Sequence, residues 1–277
     1  MSTLPAATRM GRVDLFVSDL GRSLDYYTNA IGLSVLSQSG GEATLGAGSE
    51  ELLRLVEEPG ARPATGFSGL FHFALLVPER AALARWLSHS VRERVQLVGA
   101  SDHTVSEALY LRDPDRHGIE IYADRPREQW EGRVAELMGT APLDLEGLLR
   151  TLPAGDGEFG GLPDGTRVGH VHLCVADVDD SVGFYGDRLG LDLVAQLGPQ
   201  AAFLSAGGYH HHLAVNTWES RGAPAAPEGT ARLLDFTLVL PDAESATAAG
   251  ERVGGAEVKD PSGNTFLIAA AQATIDT

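Results

Sequence analysis

Three residues far apart in the chain, His72, Glu120 and His170, have the types and settings of ligands to one metal ion. His72 lies within Leu70-Phe71-His72-Phe73-Ala74, and His170 opens His170-Val171-His172-Leu173-Cys174. Glu120 lies within Ile119-Glu120-Ile121-Tyr122. Around Glu120 and His170 polar and apolar residues alternate with period two, as in a strand with one buried face, and His72 sits between Phe71 and Phe73 on the face of Leu70 and Ala74. A lone strand histidine is more often a hydrogen-bonded core residue, and a strand-end glutamate is often solvated. A carboxylate among apolar residues is costly to bury without a partner, and a cation is a good partner. Two histidines and one carboxylate leave coordination positions open on Fe(II) for a substrate and for oxygen.

Other candidates surround these three. His210-His211-His212 leads into Leu213-Ala214-Val215-Asn216-Thr217-Trp218. Read as one strand, Leu213 and Val215 face a helix, so parity sends His210, His212, Ala214, Asn216 and Trp218 to the other side. His172 shares the face of His170. His103 and Tyr110 precede Glu120 on neighbouring strands. An ordinary imidazole titrates near neutrality and is suited to moving a proton to and from a bound substrate.

The elements that must position these residues repeat. Gly11-Arg12-Val13-Asp14-Leu15 through Ser23, Tyr27 and Gly32-Leu33 parallels Gly169-His170-Val171-His172-Leu173 through Ser181, Tyr185 and Gly190-Leu191. Phe71-His72-Phe73 with Pro78 and Asp113-Pro114 parallels Leu234-Asp235-Phe236 with Pro241 and Asp260-Pro261. Four units follow, beginning near Met10, Gly69, Val168 and Ala231, each expected as strand, helix and three strands. Asp179-Asp180-Ser181 supplies a helix start in unit three and Gly190 a stop. Between Arg125 and Arg167 the pattern changes. Helices are expected over Glu128–Met138 and Leu143–Leu152, followed by breakers at Pro153-Ala154-Gly155-Asp156-Gly157 and Gly160-Gly161. The expected organisation is a first domain over 8–125 (units one and two), a helical linker over 126–166 and a second domain over 167–273 (units three and four).

The bulk properties bound the partners. A net charge of −17 argues against nucleic acid and anionic membranes. No apolar run is long enough for a spanning helix. One cysteine excludes an intrachain disulfide, and the N-terminal residues lack a secretory pattern, so a cytoplasmic protein is expected.

With these repeats and histidines the chain resembles the vicinal oxygen chelate superfamily, and within it the type I extradiol dioxygenases. The resemblance covers nearly all four units. It implies an α+β fold of four βαβββ modules in two domains with cupped mixed sheets. It also implies metal ligation by His170, His72 and Glu120. His211-His212-Leu213-Ala214-Val215 matches the family's acid–base segment. That alignment selects His211 where parity prefers His212, so both stand as candidates. His103 and Tyr110 match a further histidine and tyrosine, and His172, Asn216 and Trp218 become candidates to contact substrate. Unit one has Arg12 where unit three has His170. Unit four has Asp235 and Leu267 where unit two has His72 and Glu120. Neither unit one with two nor three with four completes a ligand set, so units two and three are expected to face each other. The implied activity is Fe(II)-dependent ring cleavage of catechol or a related aromatic diol by oxygen, with Mn(II) an allowed substitute. The alternatives are a non-catalytic small-molecule binder and a glyoxalase-like metal lyase or isomerase. A homo-oligomer is compatible with the sequence.

Overall fold

The computed structural model describes residues 3–153 and 159–271. Unit one folds as β1 (Arg9–Val17), α1 (Leu20–Asp25) running on as a π-helical segment (Tyr26–Ile31), β2 (Ser34–Ser39), β3 (Glu42–Ala47) and β4 (Glu50–Glu57). After a two-residue β5 (Arg62–Pro63), unit two comprises β6 (Gly69–Leu76), α2 (Arg80–Arg92), β7 (Gly99–Asp102), β8 (Ser106–Arg112) and β9 (Gly118–Asp124). The connection carries α3 (Val134–Leu137), β10 (Ala141–Pro142) and α4 (Leu145–Leu149). Unit three is β11 (Arg167–Cys174), α5 (Val178–Val182) with its π-helical continuation (Gly183–Leu189), β12 (Asp192–Leu197), β13 (Ala201–Ser205) and β14 (Leu213–Asn216). After β15 (Thr230–Ala231), unit four is β16 (Leu233–Leu240), α6 (Ala243–Val253), β17 (Glu257–Lys259) and β18 (Thr265–Ala270).

The repeat residues explain these elements. Asp19 and Asp177 cap their helices by accepting from the amides of Arg22 and Asp180. Gly32 and Gly190 end them at φ 90° and 105°, where a side chain would be strained. Tyr27 donates to Asp113 and Tyr185 to Asp260, at 2.9 and 3.0 Å. Each of these aspartates also accepts two backbone amides of its own turn. The tyrosine of one unit therefore locks the final turn of the next.

The strands form two large mixed sheets, with order β17-β18-β16-β1-β4-β3-β2 and β10-β7-β8-β9-β6-β11-β14-β13-β12. Units one and four make the first, and units two and three the second. The Tyr27–Asp113 and Tyr185–Asp260 bonds thus tie one sheet to the other. The fold is α+β with curled mixed sheets and two domains of the vicinal-oxygen-chelate type. Valines and leucines of both central strand pairs join the helices in one large apolar cluster. That burial is the main force holding the sheets' backs together. No helix among the described residues is long and apolar enough to cross a membrane.

Three expectations change. Unit four has two strands after its helix, not three. The two linker helices are shorter than their sequence pattern, α3 being preceded by Gly132 at φ 71°. Part of the breaker run, residues 154–158, lies outside the described residues. Finally, His210-His211-His212 precedes β14 instead of belonging to it. Gly207 and Gly208 adopt φ 63° and 69°, which ends strand alternation before the histidines.

Candidate metal centre

The central strands β6 and β11 run antiparallel, with His172 opposite His72 and His170 opposite Ala74. β9 lies parallel to β6, with Glu120 beside Ala74. This register brings His72, His170 and Glu120 onto one face. His72 Nε2 and His170 Nε2 lie 3.1 and 3.2 Å from Glu120 Oε2, and 3.3 Å from each other. All three residues are buried, and among the described residues they are the group whose donor atoms converge to metal-ligand spacing.

The residues fit a metal. A triangle with edges near 3.2 Å is one face of an octahedron whose ligands stand about 2.2 Å from the ion. Burial pulls His170 down to about 4, so its imidazole is neutral and has a lone pair to offer. Burial alone would raise Glu120, but His170 and His72 outweigh it and hold the carboxyl well below its ordinary range. A neutral imidazole at His170 and an ionised carboxylate at Glu120 are protonation states that ligation requires.

Two β-bulges shape the floor. One falls at Gly169, between Val168 and His170. A β-carbon there would stand 1.8 Å from the Tyr122 hydroxyl, so only glycine lets β11 pass. The other falls at Phe71, which has no partner between His72 and Leu70. It turns the Phe71 ring against His172 at 4.9 Å and Trp218 at 5.1 Å. Alternation would have sent Phe71 to the helix side, and nothing in the sequence marks a bulge there.

The remaining candidates divide clearly. Asn216 Nδ2 donates to His172 Nε2 at 2.9 Å, which fixes the amide and the ring at the cup wall. Burial lowers His172 well below its ordinary value. Trp218 is 49% exposed and stands at the rim, 5.4 Å from the His172 ring. Tyr110 pairs with Glu120 across β8 and β9, and its ring is 5.7 Å from that of His72. Burial raises its phenol above the ordinary range. His103 Nδ1 donates to the Gly139 carbonyl at 2.8 Å, so His103 Nε2 accepts from the Tyr110 hydroxyl at 2.7 Å. The linker thereby orients Tyr110.

The histidine run splits three ways. His210 turns to Asp124 at 2.9 Å. His211 lies over His170, with ring centroids 4.1 Å apart. His212 turns back, its Nδ1 accepting from the Ala206 amide at 3.2 Å. Parity had placed His210 and His212 in the cleft; it fails because the strand begins only at Leu213. His211 and His212 are both pulled down, chiefly by burial, His212 to about 3.

The matching position in the other sheet holds no ligand set. Asp14 stands opposite Asp235 there, as His172 stands opposite His72. The buried Asp14 accepts from Arg12 at 2.7 Å and Arg54 at 3.0 Å. An ion-pair network fills that cup.

Comparison with known proteins agrees with this architecture. The profile of the Glyoxalase/Bleomycin resistance protein/Dioxygenase superfamily matches residues 9–121 and 167–259. A Bacillus subtilis (strain 168) protein named catechol-2,3-dioxygenase is 40% identical over 290 residues, covering 96% of this chain and 99% of that one. A solved structure from Bacillus subtilis subsp. subtilis str. 168 superposes with a TM-score of 0.65 at 15% identity, covering 97% of this chain and 86% of that one. Glyoxalase I from Zea mays superposes with a TM-score of 0.55 at 19% identity, covering 94% and 91%. Two matched segments spanning both halves, and a full-length relative at this identity, make the chain a member of the Glyoxalase/Bleomycin resistance protein/Dioxygenase superfamily.

Proposed function

We propose that this chain is an Fe(II)-dependent extradiol dioxygenase that opens the ring of catechol or a related aromatic diol. The reading rests most on one observation: His72, Glu120 and His170 converge in a buried cup, with the ring of a further histidine, His211, lying 4.1 Å from that of His170. The full-length likeness to a protein named catechol-2,3-dioxygenase supports it. We also propose 8–125 and 167–273 as the duplicated domains, joined through 126–166.

His72, Glu120 and His170 would hold the metal. When bound, Fe(II) supplies redox chemistry toward oxygen and a Lewis acid for the diol's two oxygens. The chain's own residues do the rest. Phe71, His172 and Trp218 form an aromatic slot, and Asn216 fixes His172 within it. His211 is the acid–base residue, because its ring lies over His170; burial leaves it in the neutral form from which a general base starts, while weakening it as a base. The same imidazolium then returns that proton as the ring opens. His212, held by Ser205 and the Ala206 amide, orients the turn carrying His211. Tyr110, held by His103, faces the same site beside Glu120.

Oxygen uptake tests the reading. The protein reconstituted anaerobically with Fe(II) is expected to consume about one oxygen per catechol added. His211→Phe is expected to keep its iron and lose roughly a hundredfold or more in turnover. Catechol-independent uptake, or none, would remove the dioxygenase assignment.

A further inference from the structure

We propose that Asp124 sets the tautomer of His211 through His210, so that His211 presents an Nε2 lone pair to the cup. The catalytic use of that lone pair rests on the function proposed above; the tautomer itself does not. Asp124 ends β9 and touches none of the three candidate ligands in the contacts described. Its Oδ1 lies 2.9 Å from Nε2 of His210, a ring with no solvent exposure. The Tyr209 hydroxyl donates to the same oxygen at 3.3 Å, and Tyr122 stands 2.7 Å behind Tyr209. Gly169 leaves the space that the Tyr122 hydroxyl occupies.

The hydrogen positions follow from valence. An ionised carboxylate only accepts; with one hydrogen on the His210 ring, that hydrogen sits on Nε2. His210 Nδ1 is then a lone pair. It faces His211 Nδ1 at 2.9 Å, so His211 Nδ1 must carry the hydrogen and donate it. The hydrogen of a neutral His211 is thereby fixed on Nδ1, and its Nε2 is left as the acceptor. In the opposite arrangement, with His210 donating from Nδ1, His211 would carry its hydrogen on Nε2 and could not take one from a diol. Asp124 is thus a positioning residue acting through two rings.

The test is the nitrogen spectrum of the full-length, metal-free protein labelled with ¹⁵N-histidine. His211 is expected to show a protonated, pyrrole-type Nδ1 and a pyridine-type Nε2. Asp124→Asn can donate its amide hydrogen to His210 Nε2, and is expected to invert both rings. The Fe(II)-loaded variant is then expected to keep its metal and its KM for catechol, with kcat lower by about a hundredfold or more. Asp124→Glu is expected to restore the wild-type spectrum. A pyrrole-type Nε2 on His211 in the wild type overturns the proposal whether or not any variant folds, as does an Asp124→Asn spectrum unchanged from wild type. Inverted tautomers with unchanged turnover would support the relay and overturn His211 as the acid–base residue.

Discussion

Trp218 shows how single side chains divide the labour of the cup. Half its ring meets solvent, yet it packs on Phe71 and His172 within 5.1 and 5.4 Å. An aromatic contact of this kind contributes about 0.5–1.5 kcal/mol. Trp218→Ala is therefore expected to raise the KM for catechol about 2–10-fold and leave kcat within about twofold, as steady-state oxygen uptake would measure. A fall in kcat with unchanged KM would move Trp218 from the rim into the chemistry. The three candidate ligands were legible in the sequence because His72-Phe73-Ala74, His170-Val171-His172 and Ile119-Glu120-Ile121 keep their alternation, although bulges at Phe71 and Gly169 directly precede the two histidines. The histidine run was not, because Gly207 and Gly208 turn the chain just before it. Phe71 was hidden for a related reason, since a bulge reverses the face of one residue and leaves no trace in composition.

At the scale of elements, Gly169 governs how β11 meets its neighbours. Gly169→Ala would drive a methyl into the Tyr122 hydroxyl, where 1.8 Å separates them. Overpacking at such a site costs about 1–3 kcal/mol. The single variant is expected to melt earlier by calorimetry, and Tyr122→Phe in the same chain to recover part of the loss. A variant as stable as the parent would show that β11 shifts freely. The order of elements in units one to three was readable from the repeat, with Gly190 marking a helix stop, although the helix of unit three starts at the Asp177 cap, ahead of the expected Asp179-Asp180-Ser181. Element lengths were not. The linker's helical periodicity extends past Gly132, whose positive φ belongs to a turn.

The whole molecule interleaves its halves. Each large sheet takes its pair of central strands from opposite halves of the chain, and the repeated position holds a His-Glu-His cluster able to bind a metal in one sheet and ion pairs in the other. The second cup bears a cost in Asp235. Burial raises it to about 6, with Asp14 adding to the effect, and its Oδ1 is buried without a hydrogen-bond partner. A carboxyl with a folded-state value above its unfolded one binds its proton more tightly in the native state. Stability is therefore expected to fall as pH rises from about 4 through about 6. Asp235→Asn should melt with the parent near pH 4 and about 2–4 °C above it at pH 7. That is what roughly 1 kcal/mol yields in a chain of this size, after allowance for a half-exposed group. Equal melting temperatures at both pH values would show that Asp235 carries no such cost. The central claim joins these scales: units two and three, from different halves of the chain, hold one catalytic metal. Diffraction from crystals soaked anaerobically in Fe(II), recorded at the iron edge, tests it most directly. One anomalous peak is expected, bonded to His72 Nε2, His170 Nε2 and Glu120 Oε2 at about 2.0–2.2 Å. A peak elsewhere, or no peak at this cluster, would contradict the account.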